Sequence, residues 1–291
     1  MEQNALVHRP AKAALAPSYR PPRPGRSWRS NLRTVVLVGG SIGIGTGVAL
    51  GAFGIAPAAM MAVGLATVQV VAQTLHQNRL GQDVMGGIAR GDLERARFAA
   101  EQALEASPSG AMRTLAAANL ASVLMQSDLV IEGVEVLERW PPGVLDMPLS
   151  TVLWLNNRAF AASVLREEPG RIQSMLDEAE RRLERAGPRG FGGEQNHRKV
   201  ASAVAGTRAM ERLIAGEAEE ALASLAFARQ LDEAAGATFR LAERELCRVV
   251  ALHRTGREDE AVLAYAALRE HALTKRQQAE IEKVGAELGL A

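Results

Sequence analysis

Gly91-Asp92-Leu93-Glu94-Arg95-Ala96, followed by Ala103-Leu104 and then Pro108, is the stretch that decides the fold. Gly and Asp favour a turn, and Asp92 brings a side-chain oxygen to the unpaired amides of the helix it precedes. Pro108 has no amide hydrogen and ends that helix. The same order of residue types returns twice. Gly216-Glu217 leads to Ala221 and Ala228, and Gly256-Arg257 leads to Ala261 and Leu268. Each turn follows a helical stretch. Recurrence at about 34 to 45 residues marks a helical solenoid, because a two-helix unit cannot bury its apolar face alone.

Composition agrees with helix. Aromatic residues make up only 4% of the chain, while Ala and Leu abound, which favours helix over strand. Leu222, Leu225 and Ala228 follow in three-residue steps, and Val200, Val204 and Thr207 in a four-residue and a three-residue step, the spacing of one helix face. Two weaker pairs lie between the clear turns. One is Ala111–Gln126 with Leu129–Trp140, where Gly133 takes the small position. The other is Leu149–Arg166 with Arg171–Ala186, joined by Glu168-Pro169-Gly170. Their register stays open. Gly187–Gly193 reads as a stop and a loop, and Lys275–Leu288 as a final helix covering the open end of the stack.

Over about residues 80–270 the chain resembles the tetratricopeptide-repeat family, on the three turns quoted above. The resemblance implies that Gly91, Gly216 and Gly256 turn the chain between antiparallel helices. It implies that Ala96, Ala221 and Ala261 are the small residues at which those helices touch. It also implies an α-solenoid of about five helix pairs with a capping helix, binding protein partners along the first helix of each pair. The candidate contact residues are then Arg113, Asn119, Asn156, Asn157, Arg158, Arg198 and Arg208. Some family members grip a C-terminal carboxylate with Lys or Arg four residues before an Asn. Here the residues four before Asn119, Asn156, Asn157 and Asn196 are Leu115, Val152, Leu153 and Gly192, so that clamp is absent.

Upstream the chain changes character. Residues 1–33 hold seven Lys and Arg against Glu2 alone, together with five prolines, and read as a disordered basic tail. Thr34 to Leu75 then carries no charge over 42 residues. Roughly 20 apolar residues cross a bilayer as a helix, so the run is long enough to cross twice. It divides at Gly54-Ile55-Ala56-Pro57 into spans at 35–53 and 57–75. Gly39, Gly43, Gly47 and Gly51 share one face of the first span, and Ala58, Ala62 and Ala66 one face of the second. Small faces let helix backbones approach closely in lipid. These features predict an all-α protein with a two-span transmembrane hairpin at 34–75 and a repeat domain at 80–291. The location expected is integral to a membrane, such as a bacterial inner membrane. Arg33 and Arg79 place the repeat domain on the cytoplasmic side.

Val35–Gly45 resembles the glycine-rich nucleotide turn of the short-chain dehydrogenases, but no further strand–helix units follow it. Residues 80–291 hold 26 basic and 32 acidic residues, an acidic body quite unlike the tail. The single cysteine, Cys247, reads as a small buried hydrophobe. His8, His76, His197, His253 and His271 are scattered, and neither a zinc spacing nor a phosphate-binding loop occurs. No catalytic, metal or cofactor residues are assigned and no enzyme is expected. The function expected is a membrane-anchored scaffold for a protein or peptide partner, without nucleic acid. The alternative is a homo-oligomer or pore assembled through the glycine face.

Overall fold

The computed structural model describes residues 75–107, 110–143, 147–191, 193–235, 240–268 and 275–289. Every regular element among them is helical. In chain order they are α1 (75–89), α2 (Leu93–Glu105), α3 (Gly110–Gln126), α4 (Val130–Arg139), α5 (Pro148–Val164), α6 (Pro169–Gly190), α7 (Glu194–Ala215), α8 (Ala218–Ala235), α9 (Leu241–Arg254), α10 (Glu258–Leu268) and α11 (Lys275–Leu288).

Consecutive helices form five pairs that share one turn. Gly91, Asp128, Arg166, Gly216 and Gly256 all have positive φ. In each case the next residue donates its amide to the carbonyl five positions back. The bonds are Asp92 to Gly87 at 2.9 Å, Leu129 to Leu124 at 2.8 Å, Glu167 to Ala162 at 2.9 Å, Glu217 to Arg212 at 2.8 Å and Arg257 to Leu252 at 2.9 Å. This bond, closed across a left-handed residue, satisfies carbonyls that the helix end leaves unpaired. Asp92 then caps α2, its Oδ1 accepting from the Arg95 amide at 3.1 Å. The two pairs that look irregular in sequence therefore use the same turn, with Asp128 and Arg166 in place of glycine.

Pair contacts use small residues. A methyl at Gly87 would lie 2.8 Å from the Ala96 Cβ, so α1 and α2 cross where neither side chain has bulk. Ala96, Ala221 and Ala261 are all fully buried. Between pairs, α3 packs on α5, α5 on α7, α7 on α9 and α9 on α11. The first helices therefore form one layer, and the second helices back it. Three apolar clusters follow the stack. Leu104, Leu120, Leu124 and Leu137 anchor the first; Ile172, Leu176 and Phe191 the second; Val249, Leu252 and Leu268 the third. Burying one such side chain stabilises the fold by about 1.5–3 kcal/mol.

Two expectations change here. The loop expected at Gly187–Gly193 is shorter. α6 breaks at Gly187, with φ 54 and ψ −173, and a further turn over 188–190 follows. Pro188 suits the first position of that turn because its missing amide hydrogen has no intrahelical role there.

The expectation of a two-span transmembrane hairpin, and with it an integral-membrane location, is also corrected. Among the described residues no helix is long and apolar enough to cross a membrane. The physical reason is charge. α6 and α7 have 22 residues each, but α7 carries Glu194, Arg198, Lys199, Arg208, Glu211 and Arg212, and α6 is richer still in Arg and Glu. The spans expected at 35–53 and 57–75 lie outside the described residues, apart from Leu75. So do their packing residues Gly39, Gly43, Gly47, Gly51, Ala58, Ala62 and Ala66, and the tail 1–33.

Candidate functional site

Stacking the first helices side by side leaves a groove along their exposed faces. It encloses about 1430 Å³ and draws on α1, α3, α5, α7, α9 and α11. α7 shows how the register works. Asn196, Lys199, Ala203, Gly206, Met210 and Leu213 all face the groove, in steps of three and four. Apolar lining comes from residues such as Leu115, Leu153, Phe160, Met210 and Leu246.

A chain of hydrogen bonds runs across the groove floor. Thr207 Oγ1 on α7 donates to Asn156 Oδ1 on α5 at 2.8 Å. Asn156 Nδ2 donates to Asn157 Oδ1 at 3.4 Å, and Asn157 Nδ2 donates to the Ala118 carbonyl on α3 at 2.7 Å. Three consecutive first helices are thereby tied at one level. Asn119, the next residue along α3, is half-buried, lines the groove and makes no side-chain hydrogen bond among the described residues.

The wall between α7 and α9 is built around a buried carboxylate. Asp232 of α8 is fully buried, with Arg244 Nε 3.3 Å from its Oδ2 and Arg240 Nη1 3.5 Å from its Oδ1. Arg244 also donates Nη2 to the Ser202 carbonyl at 3.0 Å, and Arg240 donates Nη1 to the Lys199 carbonyl at 2.6 Å. Arg244 reaches this position only by crossing bare backbone, since a methyl at Gly206 would overlap its guanidinium. Burial pushes the Arg240 guanidinium below its ordinary pKa, helped by repulsion from Arg244. Arg254 is likewise lowered by burial, and it donates Nη1 to the Leu213 carbonyl.

Of the seven contact candidates from sequence, the three asparagines line the groove and the four arginines do not. Arg113 donates to the Ser107 carbonyl at 3.3 Å, bracing the link from α2 to α3. Arg158 is buried, with Nη2 2.9 Å from Glu167 and 3.5 Å from Glu138. Arg198 pairs with Glu194 one turn away. Arg208 clamps α7 onto α6, its Nε 3.0 Å from Glu180 and its Nη2 bonded to Asp177. Burial opposes the charge of Arg208, but the bonds to Glu180 and Asp177 outweigh it and raise the pKa. Arg158 and Arg208 turn away from the groove toward acidic partners on neighbouring elements, whereas Arg198 pairs within its own helix and Arg113 bonds a backbone carbonyl.

Sequence reasoning missed Lys199, Arg240, Arg244 and Lys283, all of which line the groove. One signal for Lys199 was present. The apolar residues Val200 and Val204 fix the core face of α7, and that register turns Lys199 rather than Arg198 toward the groove. Cys247 also lines the groove, half-buried. Phe191 is buried, with its ring edge-on to His197 at 5.3 Å between centroids. Among the described residues no group of three or more His, Cys, Asp or Glu converges as a metal site.

No protein-family model matches the chain, and neither a curated protein nor a solved structure matches it.

Proposed function

We propose that this chain is a protein-binding scaffold of the tetratricopeptide-like kind, which holds a segment of a partner protein along the groove of its first helices. The observation that carries the reading is the composition of that groove. Apolar side chains from α1, α3, α5, α7, α9 and α11 are interspersed with carboxamides on each of them but α9, over about 1430 Å³. That exceeds the range of roughly 300–1,000 Å³ common for small-molecule sites. It suits a length of helix or extended chain. The Asn119 carboxamide can donate and accept together, which matches the donor and acceptor that each peptide unit offers. The floor bonds through Asn156, Asn157 and Thr207 support the reading by holding three helices in fixed register before any partner arrives. Binding rather than catalysis is the activity proposed.

A photo-crosslinking amino acid tests this in the full-length chain inside its own cells. Placed at Met210 in the groove, it is expected to trap partner segments identifiable by mass spectrometry. Placed at Leu263, exposed on α10, it is expected to trap none of the same segments. Adding Asn119→Ala to the Met210 probe is expected to cut the yield several-fold. The same products at both positions, or none at Met210, would overturn the reading.

A further inference from the structure

The charge of the groove runs against the charge of the body that carries it. Residues 80–291 hold 26 basic and 32 acidic residues, yet the groove is lined by six basic and three acidic ones. The basic side chains are not spread evenly. Lys199, Arg240, Arg244, Arg254 and Lys283 stand on the wall formed by α7, α9 and α11, with Glu243 as the acidic lining residue there. The wall formed by α1, α3 and α5 carries Asp128, Arg166 and Glu167 together with carboxamides such as Asn78, Gln82 and Asn119. The groove is therefore polarised along its length.

Two of the basic side chains have spare capacity. Lys199 makes no ion pair or side-chain hydrogen bond among the described residues. Among the described residues Lys283 pairs only with Glu287 on its own helix, at 3.8 Å, and that carboxylate is partly solvated. Behind them Arg240 and Arg244 share the buried Asp232. A partly enclosed, low-dielectric wall strengthens the field of such charges, and salt screens it less than it screens an open surface.

We propose that the segment held in this groove carries an acidic end, with Asp or Glu residues seated against Lys199 and Lys283 on the α7–α9–α11 wall and apolar residues lying toward α3 and α5. The inference rests on the groove being a peptide site, and it adds the chemistry and direction of the occupant. A peptide fits better than a nucleic acid, whose bases would need aromatic stacking platforms, while the lining here is mainly Leu, Met, Ala and carboxamide.

A library of random 12-residue peptides displayed on phage and panned over the full-length chain tests this. Three baits are used: the unaltered chain, Ala203→Trp to fill the groove, and the double variant Lys199→Glu/Lys283→Glu. Selected peptides are expected to depend on an open groove, to carry net negative charge concentrated at one end, and to bind the double variant at least tenfold more weakly. Their binding, read by fluorescence anisotropy, is expected to weaken as sodium chloride rises. Groove-dependent peptides that are neutral or basic would overturn the acidic inference while leaving the groove reading intact. Absence of any groove-dependent peptide would overturn both. Displacement of a selected acidic peptide by an equal concentration of twelve-nucleotide oligothymidine would overturn the choice of a peptide partner.

Discussion

Gly206 and Arg244 show how one missing side chain can hold a buried charge in place. The guanidinium lies where a methyl on residue 206 would sit, and from there it reaches both Asp232 and the Ser202 carbonyl. Gly206→Ala forces Arg244 out and leaves the fully buried Asp232 with less compensation. Removing one partner of a buried ion pair costs about 3–5 kcal/mol. Because Arg240 remains 3.5 Å away, a loss nearer about 2–3 kcal/mol is expected, measured as a shift in the urea midpoint. In an Arg244→Met background the same glycine substitution should cost measurably less, since a flexible thioether can yield. Equal losses in the two backgrounds would mean that the glycine serves the backbone rather than the arginine. Asn119 works at the same scale in the opposite sense. Its carboxamide makes no side-chain hydrogen bond among the described residues, so Asn119→Ala is expected to shift the thermal midpoint little while weakening partner capture.

At the scale of the element, the five shared turns explain why a repeat visible at three places extends to five. Gly91, Gly216 and Gly256 carry the left-handed conformation without strain, and nothing lies within 4 Å of where their side chains would be. Substituting Ala at Gly216 or Gly256 therefore tests backbone conformation alone. Each is expected to cost about 1 kcal/mol, read in chemical denaturation. Asp128 and Arg166 adopt the same conformation, and glycine-based reading overlooked them because Asp is only modestly favoured there and Arg hardly at all. Asn119, Asn156 and Asn157 were marked because they stand on the first helices that the resemblance makes the contact surface, and those helices line the groove. Arg158 and Arg208 lie outside the groove because each takes acidic partners beyond its own helix, which periodicity within one helix does not reveal.

Across the whole molecule, each pair meets its immediate neighbours, so the stability of the stack is a sum of unit and interface contributions. Leu124→Ala in the first cluster and Leu252→Ala in the last should each cost about 2–5 kcal/mol. The damage should stay near its source. Hydrogen exchange followed by mass spectrometry is expected to show faster exchange in α3 to α5 for the first variant and in α9 to α11 for the second. Uniform acceleration along the chain in both would show a single cooperative unit instead. α11 closes the described stack, laying Ile281 and Val284 on α9, and Gly285 leaves room for the Tyr265 hydroxyl.

Helix content, the pairing of helices and three of the five turns were readable from residues close together in the chain, because capping, left-handed glycines and apolar steps act over a few positions. The groove was not. Lys199, Gly206, Asp232, Arg244 and Lys283 come from four different helices, and nothing local in their surroundings joins them. Their meeting depends on the angle at which successive pairs stack, which packing of the three apolar clusters and the hydrogen bonds between first helices set together.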